Sequence, residues 1–312
     1  MWPTVVTSSL ATIAMGIFSN LPLAVGPGIE VSAFFTYILV NRMGMTWEEA
    51  LLAVCVSGAL NIVLTAFSVR QRIVEAIPKG LKSSLLLAIG VFVLLVGLKL
   101  GDVIDVDTRT RWLFLSGVII LFVIDFVGGI GKIYALTEDA GIARENARGQ
   151  GLRNALYVDG AATLLGGLLG TSSLIAFVES RIGIQAGGRT GLAAIICGCL
   201  MLLGGTFSKL LVLVPPPAAA GTLVYVGLLL IGLNGKIVRR ESDRALDRAV
   251  AIAMGVSVLL SFQMDYAMLL GFGTYYCLAR KRGESLQSTF WLGLVALLLL
   301  VTIIPQLILL AK

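Results

Sequence analysis

Three ionisable side chains of this sequence stand inside runs that are otherwise apolar. Glu179 closes the stretch 166–179, while Asp125 and Lys132 lie seven residues apart in the stretch 113–136. A charge at the centre of a bilayer costs about 3 kcal/mol on insertion scales, so each such group needs a partner or a task. A carboxyl held there can exchange a proton and hydrogen-bond a polar solute, which makes Glu179 a candidate for both substrate contact and proton coupling. The alternative for Glu179 is a loop-edge position near Arg181. Seven residues is two helical turns, so Asp125 and Lys132 share a face, with Gly128 and Gly129 between them. Small residues there clear room for a ligand or another helix. Two readings of this face stand side by side: both charges serve a substrate, or Lys132 snorkels to the cytoplasmic interface and Asp125 pairs locally.

The elements that hold these groups are membrane spans. Of 312 residues, 57% are hydrophobic and 13% charged, and the mean hydropathy is +0.95; a soluble domain has about a quarter of its residues charged. Continuous apolar runs at residues 5–22, 50–67, 81–98, 113–130, 191–206, 218–233 and 291–310 approach the roughly 20 residues that cross about 30 Å of hydrocarbon. Their continuity predicts helices, because barrel strands alternate over about ten residues. The expected fold class is an all-α polytopic membrane protein of about 11–12 membrane segments.

Two stretches interrupt the plain spans. In Gly26, Pro27, Gly28, Ile29, Glu30, Val31, Ser32, Ala33, Phe34 and Phe35 the proline and paired glycines forbid a continuous helix, and a short helix of about ten residues can start. The stretch 166–179, with Gly170, Thr171, Ser172, Ser173 and Glu179, is the second. Each contains an Ala-Phe pair, Ala33 with Phe34 and Ala176 with Phe177, a weak internal symmetry. Interrupted segments at matching positions of two halves point to a transport site at the midplane. A helix starting inside the membrane leaves N–H groups free, tolerable only where they face a ligand, a cavity or protein. Two such ends facing each other form an electropositive, hydrogen-bonding slot. Ordinary glycine-rich packing helices are the alternative.

The net charge of +6 reflects topology rather than nucleic-acid binding. Basic residues cluster in four loops: Arg70, Arg72, Lys79 and Lys82; Arg144, Arg148 and Arg153; Lys236, Arg239, Arg240, Arg244 and Arg248; and Arg280, Lys281 and Arg282. The positive-inside rule puts all four in the cytoplasm, and Asp102, Asp105 and Asp107 outside with Met1 and Lys312. The start Met1-Trp2-Pro3 lacks a basic n-region, so an uncleaved first span is expected. Cys55, Cys197, Cys199 and Cys277 show no Cys-x-x-Cys spacing and the chain has no histidine, so neither a metal site nor an enzymatic general base is expected.

Three blocks carry a family likeness. The first is Asn20-Leu21-Pro22-Leu23-Ala24 through Gly26-Pro27-Gly28 to Ala33-Phe34-Phe35. The second runs from Gly170-Thr171-Ser172-Ser173 through Val178-Glu179-Ser180 to Ala186-Gly187-Gly188-Arg189-Thr190-Gly191. The third is Ala76-Ile77-Pro78-Lys79 to Gly97-Leu98-Lys99. Together they resemble the nucleobase cation symporter family of xanthine and uracil permeases, and within it the azaguanine-type purine permeases. The resemblance implies inverted repeats forming a core and a gate, with the base held between two short half-helices at the midplane. It makes Glu179 the acid that hydrogen-bonds the base, with Ser32, Phe34, Ser172, Ser173 and Phe177 around it. Where a second carboxylate would stand, this sequence has Gly128, with Gly129 and Lys132 in place of other polar ligands. The implied division is 1–75 and 109–207 for the core, 76–108 for a reduced gate element and 208–312 for the rest of the gate. The chain begins at what resembles the second span, and a short loop between Lys99 and Arg111 stands where two gate spans would lie.

The function expected is secondary transport of purine-type nucleobases across the cytoplasmic membrane, with an elevator-like movement of the core. A proton is the expected coupling ion, no cofactor is implied, and a homodimer is the expected assembly. Lys132 keeps an anionic cargo open, as in the related sulfate-type anion transporters. The reduced gate keeps open a channel-like or non-transporting membrane protein.

Overall fold

The computed structural model describes residues 2–100 apart from 29, 30, 33, 43 and 77, then 114–139, 150–207, 245–261, 264–282 and 285–310, with scattered residues between 220 and 232. In chain order the first elements are α1 (Trp2–Ala14), continued by a π-helical segment Met15–Ser19, then β1 (Val25–Pro27), α2 (Phe34–Arg42, π-helical), α3 (Trp47–Ala66) and α4 (Val69–Ala76). They are followed by α5 (Lys79–Leu100), α6 (Phe114–Asp139), α7 (Gln150–Leu168), β2 (Leu174–Ala176), α8 (Ser180–Gln185) and α9 (Gly191–Thr206). The last are α10 (Ala245–Ser261), α11 (Met264–Arg282) and α12 (Leu286–Leu310). The α1 segment with its extension has 18 residues and α3 has 20, both apolar enough to cross a membrane. At 22, 26 and 25 residues, α5, α6 and α12 have the length to do so.

Local sequence accounts for where these helices begin and how they stay satisfied. The Thr46 hydroxyl accepts from Glu49 N (3.2 Å) and the Glu49 carboxylate from Thr46 N (2.8 Å), a reciprocal cap that starts α3. Within α1, the hydroxyls of Thr7 and Ser9 donate to the carbonyls one turn back, at Pro3 (2.6 Å) and Val5 (2.6 Å). Their polar groups therefore need no water.

The outside of these helices is large and apolar and the inside is small. On α9, Gly191, Ala194, Gly198 and Gly205 are buried, while Leu192, Ile196, Leu200 and Leu203 are each more than half exposed. Lipid gives no reason to bury leucine, whereas small residues let backbones approach, so this inversion suits a hydrocarbon surround. The buried face of α9 lies along α1, where Gly191 meets the carbonyl of Gly16. In the same way α3 lies along α7, with Gly58 against Leu164.

Two compact units divide the chain. The first comprises Met1–Gln71 with Ile124–Leu213, the second Arg72–Val123 with Val214–Lys312. In the second unit α5 packs on α10 and α11, and α12 on α11. There the Tyr275 hydroxyl donates to the Asp247 carboxylate (2.8 Å), over the position of Gly80. The expected gate loop between Lys99 and Arg111 lies outside the described residues, as do Glu30, Arg144, Arg148, Lys236, Arg239, Arg240 and Arg244.

The first unit corrects one expectation. A short helix does start within 26–35, but neither interrupted stretch is helical throughout. Each holds a three-residue strand, Val25–Pro27 in one and Leu174–Ala176 in the other, with helix at Val31–Ser32 and from Phe34 after the first strand and from Ser180 after the second. β1 and β2 pair antiparallel, Gly26 opposite Ile175. Pro27 has no N–H to give a helix, and β-branched Val25 and Ile175 favour extended backbone. The two strands thus satisfy much of each other's backbone where water is absent.

Candidate substrate site

The paired strands are tied into the helices around them. Val25 N donates to the Thr12 hydroxyl of α1 (2.9 Å) and Ala24 N to the Ser180 hydroxyl (3.0 Å). Phe177 N donates to Ala24 O (2.8 Å), and the Phe177 ring rests against Gly26, where a side chain would collide with it. On the other side, Thr163 of α7 donates to Leu174 O (2.9 Å).

Of the expected residues, the structure brings Ser32 and Ser172 together. The hydroxyls of Ser32 and Ser172 are 2.7 Å apart, joining the segment after β1 to the segment before β2. Ser173 donates to Asp125 Oδ1 (2.6 Å), whose other oxygen accepts from Asn61 Nδ2 (2.9 Å) and the Ser57 hydroxyl (3.1 Å), both on α3. Asp125 is completely buried. Three side-chain donors converge on it, so it fastens β2 to α3 and α6, a local pairing rather than an open ligand. Glu179 is half-buried and occupies the residue before α8. Phe34 is 3% exposed and packs in the interior.

Lys132 is 2% exposed, which overturns the snorkelling reading. Its ammonium lies within electrostatic reach of Glu179 and Asp159. Gly128 is buried, yet among the described residues no heavy atom lies within 4 Å of where its Cβ would be. Gly129, by contrast, is a close approach: a Cβ there would sit 3.0 Å from Asp159 Oδ2 and 3.1 Å from Arg70 Nη2.

Those last two groups escaped the sequence reading. Arg70, counted there as a loop cation, is fully buried, its Nη2 2.5 Å from Asp159 Oδ2 and its Nη1 donating to Leu156 O (3.0 Å). Its guanidinium also stands 5.5 Å from the Phe126 ring centroid. Position among other basic residues concealed Arg70. Asp159 had a usable signal, being an acid in the middle of a run that reads Ala155, Leu156, Tyr157, Val158, Gly160, Ala161. Asn61 and Ser57, one helical turn apart in an apolar span, gave a weaker one.

A small bundle of spans built around crossed, strand-paired interruptions, with charges buried beside them, defines a polytopic membrane transporter. A family model described as a permease family, that of xanthine and uracil permeases, matches residues 107–266. The chain belongs to this permease family, and is accordingly a permease rather than an enzyme. It is 27% identical to the adenine permease AdeQ of Escherichia coli (strain K12), over 94% of this chain and 84% of that one. It is 26% identical to the guanine/hypoxanthine permease PbuG of Bacillus subtilis (strain 168), over 87% and 79%. The AdeQ alignment runs over 374 positions against the 312 residues here, so that relative carries stretches with no counterpart in this chain. Among solved structures, the transmembrane domain of a cyanobacterium bicarbonate transporter, BicA, matches with a TM-score of 0.58 and 13% identity, covering 97% of this chain and 88% of that one. The likeness at that identity is one of fold.

Proposed function

We propose that this permease carries purine nucleobases, which bind beside the β1–β2 pair. The observation that supports it most is the convergence of two distant stretches, Ser32 against Ser172 at 2.7 Å, with Glu179 three residues beyond the end of β2. The relatives named for adenine and for guanine/hypoxanthine point the same way. A purine edge alternates donors and acceptors, and a carboxyl with two hydroxyls can pair with both kinds. In this reading Glu179 holds the base edge and exchanges the coupling proton. Ser32, Ser172 and Ser173 set the polar end, and Phe34 and Phe177 supply apolar walls. Gly128 leaves room, Gly129 admits the close approach of Asp159 and Arg70, and Lys132 sets the charge balance.

The stretches α1–β1–α2–α3 and α7–β2–α8–α9 then form inverted repeats, α1 lying on α9 and α3 on α7. The first unit is the core that moves and the second the gate, in an elevator-like cycle in the cytoplasmic membrane, with a homodimer as the working assembly. The test is uptake of radiolabelled adenine and hypoxanthine by liposomes containing the purified chain. Saturable uptake stimulated by an acid-outside gradient is expected. Unsaturable flux, or none, overturns the carrier.

Burial of Lys132 favours a second reading, an anionic cargo. In that case sulfate or bicarbonate competes with labelled base and Lys132→Met abolishes the competition. Transport unchanged in Lys132→Met rejects any role for this charge.

A further inference from the structure

Between α1 and α7, on the surface of the first unit, lies an apolar groove of about 590 Å³. Ala11 and Ala162, both buried, line it, and Leu10 and Leu165, each more than half exposed, stand at its edges. It runs along α1 and its π-helical extension from Thr7 to Phe18, about 16 Å of helix, close to the thickness of about 15 Å that one leaflet contributes to the hydrocarbon. One end is polar. Asn154 and Tyr157 line it, Asn154 Nδ2 donates to Phe18 O (2.7 Å), and the exposed Arg153 places its guanidinium 5.7 Å from the Tyr157 ring centroid. Arg153 belongs to the loop cluster assigned to the cytoplasm, and the N-terminal turn of α7 adds its own partial positive charge.

We propose that this groove binds an anionic phospholipid of the cytoplasmic leaflet, one acyl tail lying along the groove and the phosphate on Arg153. Guanidinium matches phosphate in a two-pronged geometry, and the inner leaflet supplies anionic headgroups at that depth. A further helix is the wrong size, since a cylinder 10 Å wide and three turns long encloses on the order of 1,300 Å³. A volume of about 590 Å³ is that of a small-molecule site.

The experiment is native mass spectrometry of the full chain in detergent, titrated with phosphatidylglycerol or phosphatidylcholine of identical tails. The wild type retains phosphatidylglycerol at several-fold lower concentration. Arg153→Gln loses that preference while still holding tails, and Ala161→Trp, which fills the groove, loses both lipids. Phosphatidylglycerol with a photoreactive tail labels peptides containing Leu10 or Leu165, a readout that needs no variant to fold. Equal retention of the two lipids by the wild type, an unchanged preference in Arg153→Gln, or labelling elsewhere overturns the proposal. So does a groove-filling variant that separates dimers without losing lipid, which assigns the groove to a second copy.

Discussion

Arg70 and Asp159 form a buried ion pair within the first unit. Both are buried, at 0% and 1% side-chain exposure, and removing one strands the other's charge, at a cost of about 3–5 kcal/mol. Asp159→Leu should therefore melt at a clearly lower temperature in a detergent thermal-shift assay. The double replacement Arg70→Met with Asp159→Leu should recover most of that loss, because an apolar pair of similar volume avoids desolvating either charge. If the double variant is no better than the single, the pair does more than balance charge. Glu179 calls for a different outcome. It is half-buried and makes no side-chain cap bond to α8. Glu179→Gln should leave the melting temperature near wild type and lower base uptake about 10- to 100-fold, the worth of a hydrogen bond to a charged group at about 1.5–3 kcal/mol. A variant that unfolds instead would make Glu179 structural.

At the scale of elements, everything turns on two three-residue strands. In hydrocarbon an extended backbone persists only where its polar groups are paired, and β1 and β2 pair with each other and with Thr12 and Thr163 hydroxyls. Their meeting can be tested covalently. With the native cysteines replaced, Ser32→Cys with Ser172→Cys should oxidise to a disulfide under mild conditions, since the hydroxyls they replace are 2.7 Å apart. Each single cysteine should stay reduced, and failure of the double variant to cross-link would separate the strands. Helix packing makes the same demand on small residues. A leucine at Gly191 would enter the backbone of Gly16, so Gly191→Leu should prevent α9 from lying on α1 and give little folded protein by size-exclusion chromatography.

At the scale of the whole molecule, the family match and the likeness to a transporter domain agree on a membrane permease. The charge count assigns the Arg280–Arg282 end of α11 to the cytoplasm. A cysteine placed at Arg282 in a cysteine-free chain should react with a membrane-impermeant maleimide only in inside-out vesicles. Labelling from outside would invert the arrangement. The interrupted stretches, Asp125, Glu179 and the purine-permease blocks were readable as residue types at given positions, which is why the family was legible. Arg70 was not: its neighbours Arg72, Lys79 and Lys82 made it look like one more loop cation.

Sequence alone determined that this chain lives in a membrane and is a permease, because hydropathy and short motifs are properties of the chain read in order. Tertiary structure decided which charges face each other. Nothing in the order of residues says that Asp125 answers to Ser173, Asn61 and Ser57, or that Arg70 reaches across 89 positions to Asp159. It decided, too, that each interruption carries a short strand. A proline and glycines forbid a helix, but only a partner strand from the other half of the chain can satisfy the extended backbone that remains.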